Sequence, residues 1–171
     1  FLLSATVLVG LGCQPRRSDW VRLDPGIPAP AFTLPQLEGG TISLADLKGK
    51  VVIMEFWATW CGPCRQSVPS LDAVYRRYRD RGVVVLLINQ GETAEQIRRW
   101  MGKQLVAPIL LDAEEAVGQL YEVSGIPQLY VVSQEGEIIY DHGGYGGGLE
   151  FNLSVILNEL LEADRPEASR G

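Results

Sequence analysis

The sequence predicts an α/β domain with a central mixed sheet flanked by helices. Two apolar runs, Val51–Trp57 and Val83–Ile88, are rich in β-branched and aromatic residues, as strands covered on both faces are. The segments that follow them repeat apolar residues every three or four positions, so strands and helices alternate along the chain. Near the C-terminal end, two short apolar runs flank Gln134-Glu135-Gly136, a turn length that makes an antiparallel hairpin. The sheet therefore mixes parallel and antiparallel neighbours. A chain of 171 residues suits one such domain with short extensions and a real core.

Residues Phe1 to Gly12 are apolar or small and carry no charge. The run is too short to span a bilayer and suits the h-region of a secretory signal. Gly10 and Gly12 lead into Cys13, which resembles the lipobox of bacterial lipoproteins, although Gly10 stands where that pattern usually has Leu. Two readings of residues 1–13 follow: a lipoprotein signal with Cys13 as the lipidated residue, or the end of an uncleaved anchor helix. Both tether the domain to the extracytoplasmic side of the bacterial cytoplasmic membrane, in the periplasm or at the cell surface. Residues 14–26, with Pro15 and Pro25, are expected to be an extended linker, and the domain proper to occupy 27–163.

Within the domain, Ala31–Leu34 and Thr41–Leu44 flank Glu38-Gly39-Gly40 and should form a short hairpin. Ser43 with Asp46 marks a helical turn. After the first buried strand, Val68, Leu71, Val74, Tyr75 and Tyr78 share one helix face, and Pro69 lies inside that helix. Thr93 with Gln96 forms a capping-box pattern before Ile97, Trp100 and Met101. Pro108–Leu111 reads as a short strand, and Asp112 with Glu115 as the start of another helix. Gln128–Val132 and Glu137–Tyr140 are the hairpin strands, and Leu149, Leu153, Ile156 and Leu160 are the stripe of the last helix. Residues 164–171 have nothing to bury and read as a loose tail.

The formal net charge is −6 and no basic run is present, which argues against nucleic acid as a partner. Of three cysteines, Cys61 and Cys64 pair by spacing and Cys13 is left over, so a structural disulfide framework is excluded. Trp60-Cys61-Gly62-Pro63-Cys64 lies between the first buried strand and its helix. A cysteine at a helix start meets unpaired N–H groups and the positive end of the dipole, which favour its thiolate. A thiolate attacks disulfides, and a second thiol in reach releases the mixed disulfide. Cys61 is thus the expected attacking thiol and Cys64, one turn further in, the resolving one. Gly62 and Pro63 add little bulk beside the attacking sulfur, and Trp60 is expected to wall the substrate groove. A Cys-x-x-Cys pair can also be half of a zinc site. No second cysteine pair exists, and His142, expected at the surface, is the only histidine. No metal site is expected.

Trp60–Cys64 after Glu55-Phe56-Trp57-Ala58 resembles the active site of thioredoxin. The frame of Pro28–Leu34, Leu47-Lys48-Gly49-Lys50 and a helix and strand between Glu92 and Leu111 resembles the membrane-tethered ResA/TlpA-like thiol-disulfide oxidoreductases. The likeness covers roughly residues 27–161. It implies a thioredoxin-like fold with an N-terminal β-hairpin and an inserted helix and strand. It also implies that Gly125-Ile126-Pro127 is a cis-proline loop against the dithiol, with Pro127 in the catalytic set and Ile126 offering its backbone to a substrate peptide. Gln128 departs from the family's usual Thr. Glu55 stands at the place of thioredoxin's buried Asp, and Glu92 matches the buried Glu of the ResA-like group. A carboxyl in apolar surroundings has a raised pKa and can take the Cys64 proton. Both remain candidates for that role.

The function so implied is reduction of client protein disulfides, such as those of apocytochrome c in cytochrome c maturation. Electrons would come from a membrane thiol donor, and no cofactor beyond the Cys61–Cys64 disulfide is expected. A disulfide oxidase or isomerase is the alternative within the same chemistry. From another class, a copper-handling module would use the two thiolates with His142, which leaves Trp60 and Pro127 unexplained. A peroxiredoxin-like peroxidase is disfavoured because no Pro-x-x-x-Thr-x-x-Cys pattern surrounds Cys61.

Overall fold

The computed structural model describes residues 20–101 and 105–163. In chain order the elements are β1 (Trp20–Pro28), β2 (Thr33–Pro35), β3 (Thr41–Ser43), a 3-10 turn (Leu44–Leu47), β4 (Val51–Trp57), α1 (Cys64–Tyr78), β5 (Val83–Gln90), α2 (Ala94–Trp100), β6 (Ile109–Asp112), α3 (Ala116–Leu120), β7 (Gln128–Val132), β8 (Glu137–Gly143) and α4 (Leu149–Ala163). Six strands form one sheet in the order β1-β8-β7-β4-β5-β6, with β4, β5 and β6 parallel and the others antiparallel. The mixed sheet, the β2–β3 hairpin and the inserted α2 and β6 match the expected α/β architecture.

Every residue of β4 is buried, as its unbroken apolar run requires of a central strand. Its alternate residues serve two cores. Val51, Ile53 and Trp57 pack with α1, α2 and α4 on one face, against Val68, Leu71, Ile97 and Leu153. Val52, Met54 and Phe56 pack on the other, under the β2–β3 hairpin and α3, against Phe32, Leu34, Val117 and Tyr121. Glu55 falls by the same alternation on the α1 face.

Local chemistry sets the element ends. The Thr93 hydroxyl accepts from Gln96 N while the Gln96 side chain accepts from Thr93 N, which closes the expected capping box at α2. Asp112 caps α3 by accepting from Val117 N at 3.2 Å and Gly118 N at 2.8 Å, and it also holds Gln90 Nε2 at 2.8 Å. Gly118 has no room for a side chain, because a Cβ there would overlap Gln90 Oε1. Pro69 sits inside α1 as expected.

Two expectations need correction. The segment read as linker up to Gly26 carries β1, which pairs with β8 from Trp20 to Pro28, so the described domain begins at Trp20. Its prolines fit because β1 is an edge strand interrupted between Arg22 and Ile27, where Pro25 costs no ladder hydrogen bond. Trp20 secures it by stacking on His142, with ring centroids 4.5 Å apart and planes within 3°. His142 is consequently buried, not a surface histidine. Cys13, the 1–13 segment and the 164–171 tail lie outside the described residues. Among the described residues no helix is long and apolar enough to cross a membrane.

Candidate active site

The dithiol stands where β4 hands the chain to α1. Cys61 and Cys64 are joined as a disulfide with Cα atoms 5.2 Å apart. Cys61 precedes the helix and does not open it as expected; the first helical residue is Cys64. Cys61 nevertheless caps the first turn. Its carbonyl accepts from Arg65 N at 3.1 Å, and its sulfur receives Cys64 N–H at 3.2 Å. That N–H is one of the donors a helix start leaves unpaired, and it is aimed at the atom that carries charge when the disulfide is opened. Cys64 is fully buried and Cys61 is 5 % exposed, beside Trp60, which is 71 % exposed. Gly62 and Pro63 form the exposed turn between them.

The Ile126–Pro127 peptide is cis, as the family resemblance implied. Its loop leads into β7 and reaches the dithiol, with the Ile126 carbonyl oxygen 3.7 Å from Cys61 Sγ. Gln128, the departure from the family pattern, turns its amide away from the sulfur and donates from Nε2 to Asp141 Oδ1 on β8.

The two acids occupy different places. Glu55 lies beneath α1, between Leu87 on β5 and Leu129 on β7 in the ladder, with 1 % of its surface exposed. Its one partner among the described residues is Ser67 Oγ, which donates at 2.7 Å and also lies 3.1 Å from the Cys64 carbonyl oxygen. Burial pushes the Glu55 carboxyl up to about 8, and the Ser67 hydrogen bond offsets this only in part. Glu55 is therefore an acid that exchanges its proton near neutrality, and Ser67 ties it to the backbone carbonyl of Cys64.

Glu92 is also buried but fully engaged. It accepts from Thr59 N at 2.7 Å, from Thr59 Oγ1 and from Asn89 Nδ2 at 2.8 Å. These bonds tie the end of β5 to the residue before Trp60, so Glu92 braces the loop that presents Cys61. Thr59, Ser67 and Asn89 were not singled out in the sequence. Ser67 left one signal, a polar residue one turn after Cys64 on the apolar face of α1; Thr59 and Asn89 left none.

His142, the third donor of the copper reading, is stacked beneath Trp20. Among the described residues no three His, Cys, Asp or Glu side chains gather as a metal ion would need.

Comparison with known proteins agrees with this geometry. Residues 25–141 match the AhpC/TSA family. The thiol-disulfide oxidoreductase ResA of Bacillus subtilis is 35% identical over 67% of this chain, and the match spans 64% of that relative, just under two thirds of its length. ResA of Halalkalibacterium halodurans is 31% identical over 80% of this chain and 75% of its own. Among solved structures, a candidate thiol:disulfide interchange protein DsbE from Chlorobium tepidum superposes with a TM-score of 0.73 at 30% identity, covering 81% of this chain and 99% of that one. This chain belongs to the AhpC/TSA family and, within it, to the ResA-type thiol-disulfide oxidoreductases.

Proposed function

We propose that the protein is a reductase of client protein disulfides, working outside the cytoplasm with Cys61 as nucleophile, Cys64 as resolving thiol and Glu55 as proton acceptor. The observation that carries this is the placement of one sulfur at a helix start against the Ile126 carbonyl that precedes the cis-proline, and the other in the core on the face that holds a buried acid. In the reduced enzyme the Cys61 thiolate attacks one sulfur of the client disulfide. The client's other sulfur leaves as a thiolate and takes a proton from water, and a mixed disulfide remains on Cys61. Cys64 then gives its proton to the ionised form of Glu55, a minor fraction near neutrality for a carboxyl titrating at about 8, and the resulting thiolate attacks Cys61 Sγ. That step releases the second client thiolate, which is protonated in turn. Two electrons pass from the dithiol to the client, and the Cys61–Cys64 disulfide is left.

The proton step is given to Glu55 because it is the buried carboxyl with a raised pKa beneath α1, whereas Glu92 is occupied in holding Thr59 and Asn89. Trp60, Gly62, Pro63 and the Ile126 backbone form the surface a client segment meets. Reduction must be renewed by a thiol donor on the membrane side, since an oxidising compartment does not restore the dithiol. Clients of the apocytochrome c type and tethering through Cys13 or an anchor helix belong to this reading, supported by the family resemblance.

Cys64→Ser tests the assignment. The variant should accumulate a mixed disulfide between Cys61 and its client that is released by dithiothreitol and absent in Cys61→Ser. Wild type should also catalyse insulin reduction by dithiothreitol. If Cys64 proves the more reactive thiol, or no client is retained, the roles are wrong.

A further inference from the structure

The face of the sheet opposite α1 is not fully covered. Beyond the end of α3 lies an open groove of about 460 Å³, lined by β1, α3, β7 and β8 and bordering the Ser124–Gln128 stretch. Tyr121 and Tyr130 form its floor, with the Tyr130 hydroxyl donating to the Tyr121 carbonyl at 2.9 Å. Ile27 and Leu120, 54% and 49% exposed, stand at its apolar rim. These are two of the few large apolar side chains the described surface leaves open, and they flank one opening.

Its charge has one sign. Asp141 and Glu122 both line it, and no lysine, arginine or histidine does. Both carboxylates act on the same phenol: Tyr130 is pushed up to about 12, first by burial and then by the negative charges of Asp141 and Glu122. Arg22, the nearest basic residue on β1, pairs with Tyr140 rather than Asp141 in the ladder and engages Glu159 at 3.0 Å on the other face. Asp141 has a single partner, Gln128, and Glu122 has none among the described residues. Gln128, Tyr130 and Asp141 share the groove face of the sheet, so the groove runs continuously from the residue after Pro127.

We propose that this groove binds the client segment flanking the target disulfide, taking an apolar residue between Ile27 and Leu120 and a lysine or arginine against Asp141 and Glu122. The inference rests on the reading of the chain as a reductase of protein disulfides and deepens it to a substrate class. The span fits. From Ile126, which touches Cys61, to Tyr130, which pairs with Asp141, is four strand residues, about 13 Å at a rise of about 3.3 Å. An extended peptide covers that distance in about four residues, so the basic residue sits about four positions from the reacting cysteine. A client with an acid there would place like charges together in a half-buried groove, so the same pair of carboxylates both selects and rejects.

The test uses short cysteine peptides activated as 2-pyridyl disulfides, identical except for Lys or Glu four residues before the cysteine, with a second pair altered four residues after it. Release of thiopyridone by the reduced protein reports the second-order rate. In low salt, the lysine peptide of one pair should react about fivefold faster than its glutamate partner, and the ratio should fall as salt rises. The ratio should drop towards one in Asp141→Asn combined with Glu122→Gln, while dipyridyl disulfide itself reacts equally with all forms. Glu122→Gln alone, at an exposed position, should lower the ratio part of the way and keeps the test valid if Asp141→Asn disturbs folding. A ratio of one in wild type, or one unchanged in the double variant, overturns the groove while insulin reduction leaves the reductase reading intact. Failure to reduce insulin or either peptide, with dipyridyl disulfide still reacting, overturns that reading and the groove with it.

Discussion

Replacing Glu55 by Gln should stabilise the oxidised protein, by an amount that grows with pH. The carboxyl titrates at an ordinary 4.5 when exposed in the unfolded chain and at about 8 in the folded one. The folded state therefore holds a proton that the unfolded state has lost throughout that interval. Stability from this group is fully present below about pH 4.5 and is lost as pH rises towards 8, at about 1.4 kcal/mol per pH unit. The whole interval corresponds to roughly 5 kcal/mol, a ceiling because water and side-chain relaxation soften burial. Gln keeps the hydrogen bond from Ser67 and cannot ionise, so the Glu55→Gln protein lacks the slope. Urea unfolding of the two oxidised proteins, followed by tryptophan fluorescence from pH 5 to 8.5, gives the difference directly. It should be small at pH 5 and reach about 2–4 kcal/mol in favour of the variant at pH 8. Parallel stability profiles would falsify the placement of an ionisable carboxyl in the apolar layer beneath α1. The same substitution should slow resolution of the Cys61 mixed disulfide by about a hundredfold near neutrality, because Cys64 loses its proton acceptor. Stability and turnover thus move in opposite directions at one residue.

Glu92→Gln should do the reverse for stability. It replaces one acceptor oxygen with a donor facing Thr59 or Asn89, costing about 1–3 kcal/mol as read from the urea midpoint. Trp20→Ala should release β1 from His142, costing about 1–3 kcal/mol and speeding hydrogen exchange at the β8 amides that pair with it. Gly118→Ala should cost about 1–3 kcal/mol in thermal or urea unfolding, since the new methyl displaces Gln90 from the Asp112 network.

Most of the architecture was legible because it is written in local patterns. An unbroken apolar run of seven residues has few places to go but the middle of a sheet, and the dithiol at its end needs only the adjoining helix start to become chemical. The capping box at Thr93 and the hairpin at Gln134–Gly136 are equally local signals. β1 was missed for the opposite reason. Its prolines and open faces give no periodic signal, and what orders it is pairing with β8, more than a hundred residues away.

The acids divide along the same line. Sequence by itself determined that Glu55 lay in apolar company inside a strand leading to the dithiol, and the family resemblance added Glu92 as a second candidate. It could not rank them, because proton transfer depends on which side chains meet across elements. Only the tertiary structure left Glu55 with Ser67 beneath α1, and turned Thr59 and Asn89 onto Glu92. It alone placed Asp141 on β8 and Glu122 in the turn after α3, residues with unremarkable local sequence, on one apolar groove beside the cis-proline loop. Periodicity reports which face of an element is buried. The partner that face meets is set by packing among distant segments, and the site's chemistry is set by those partners.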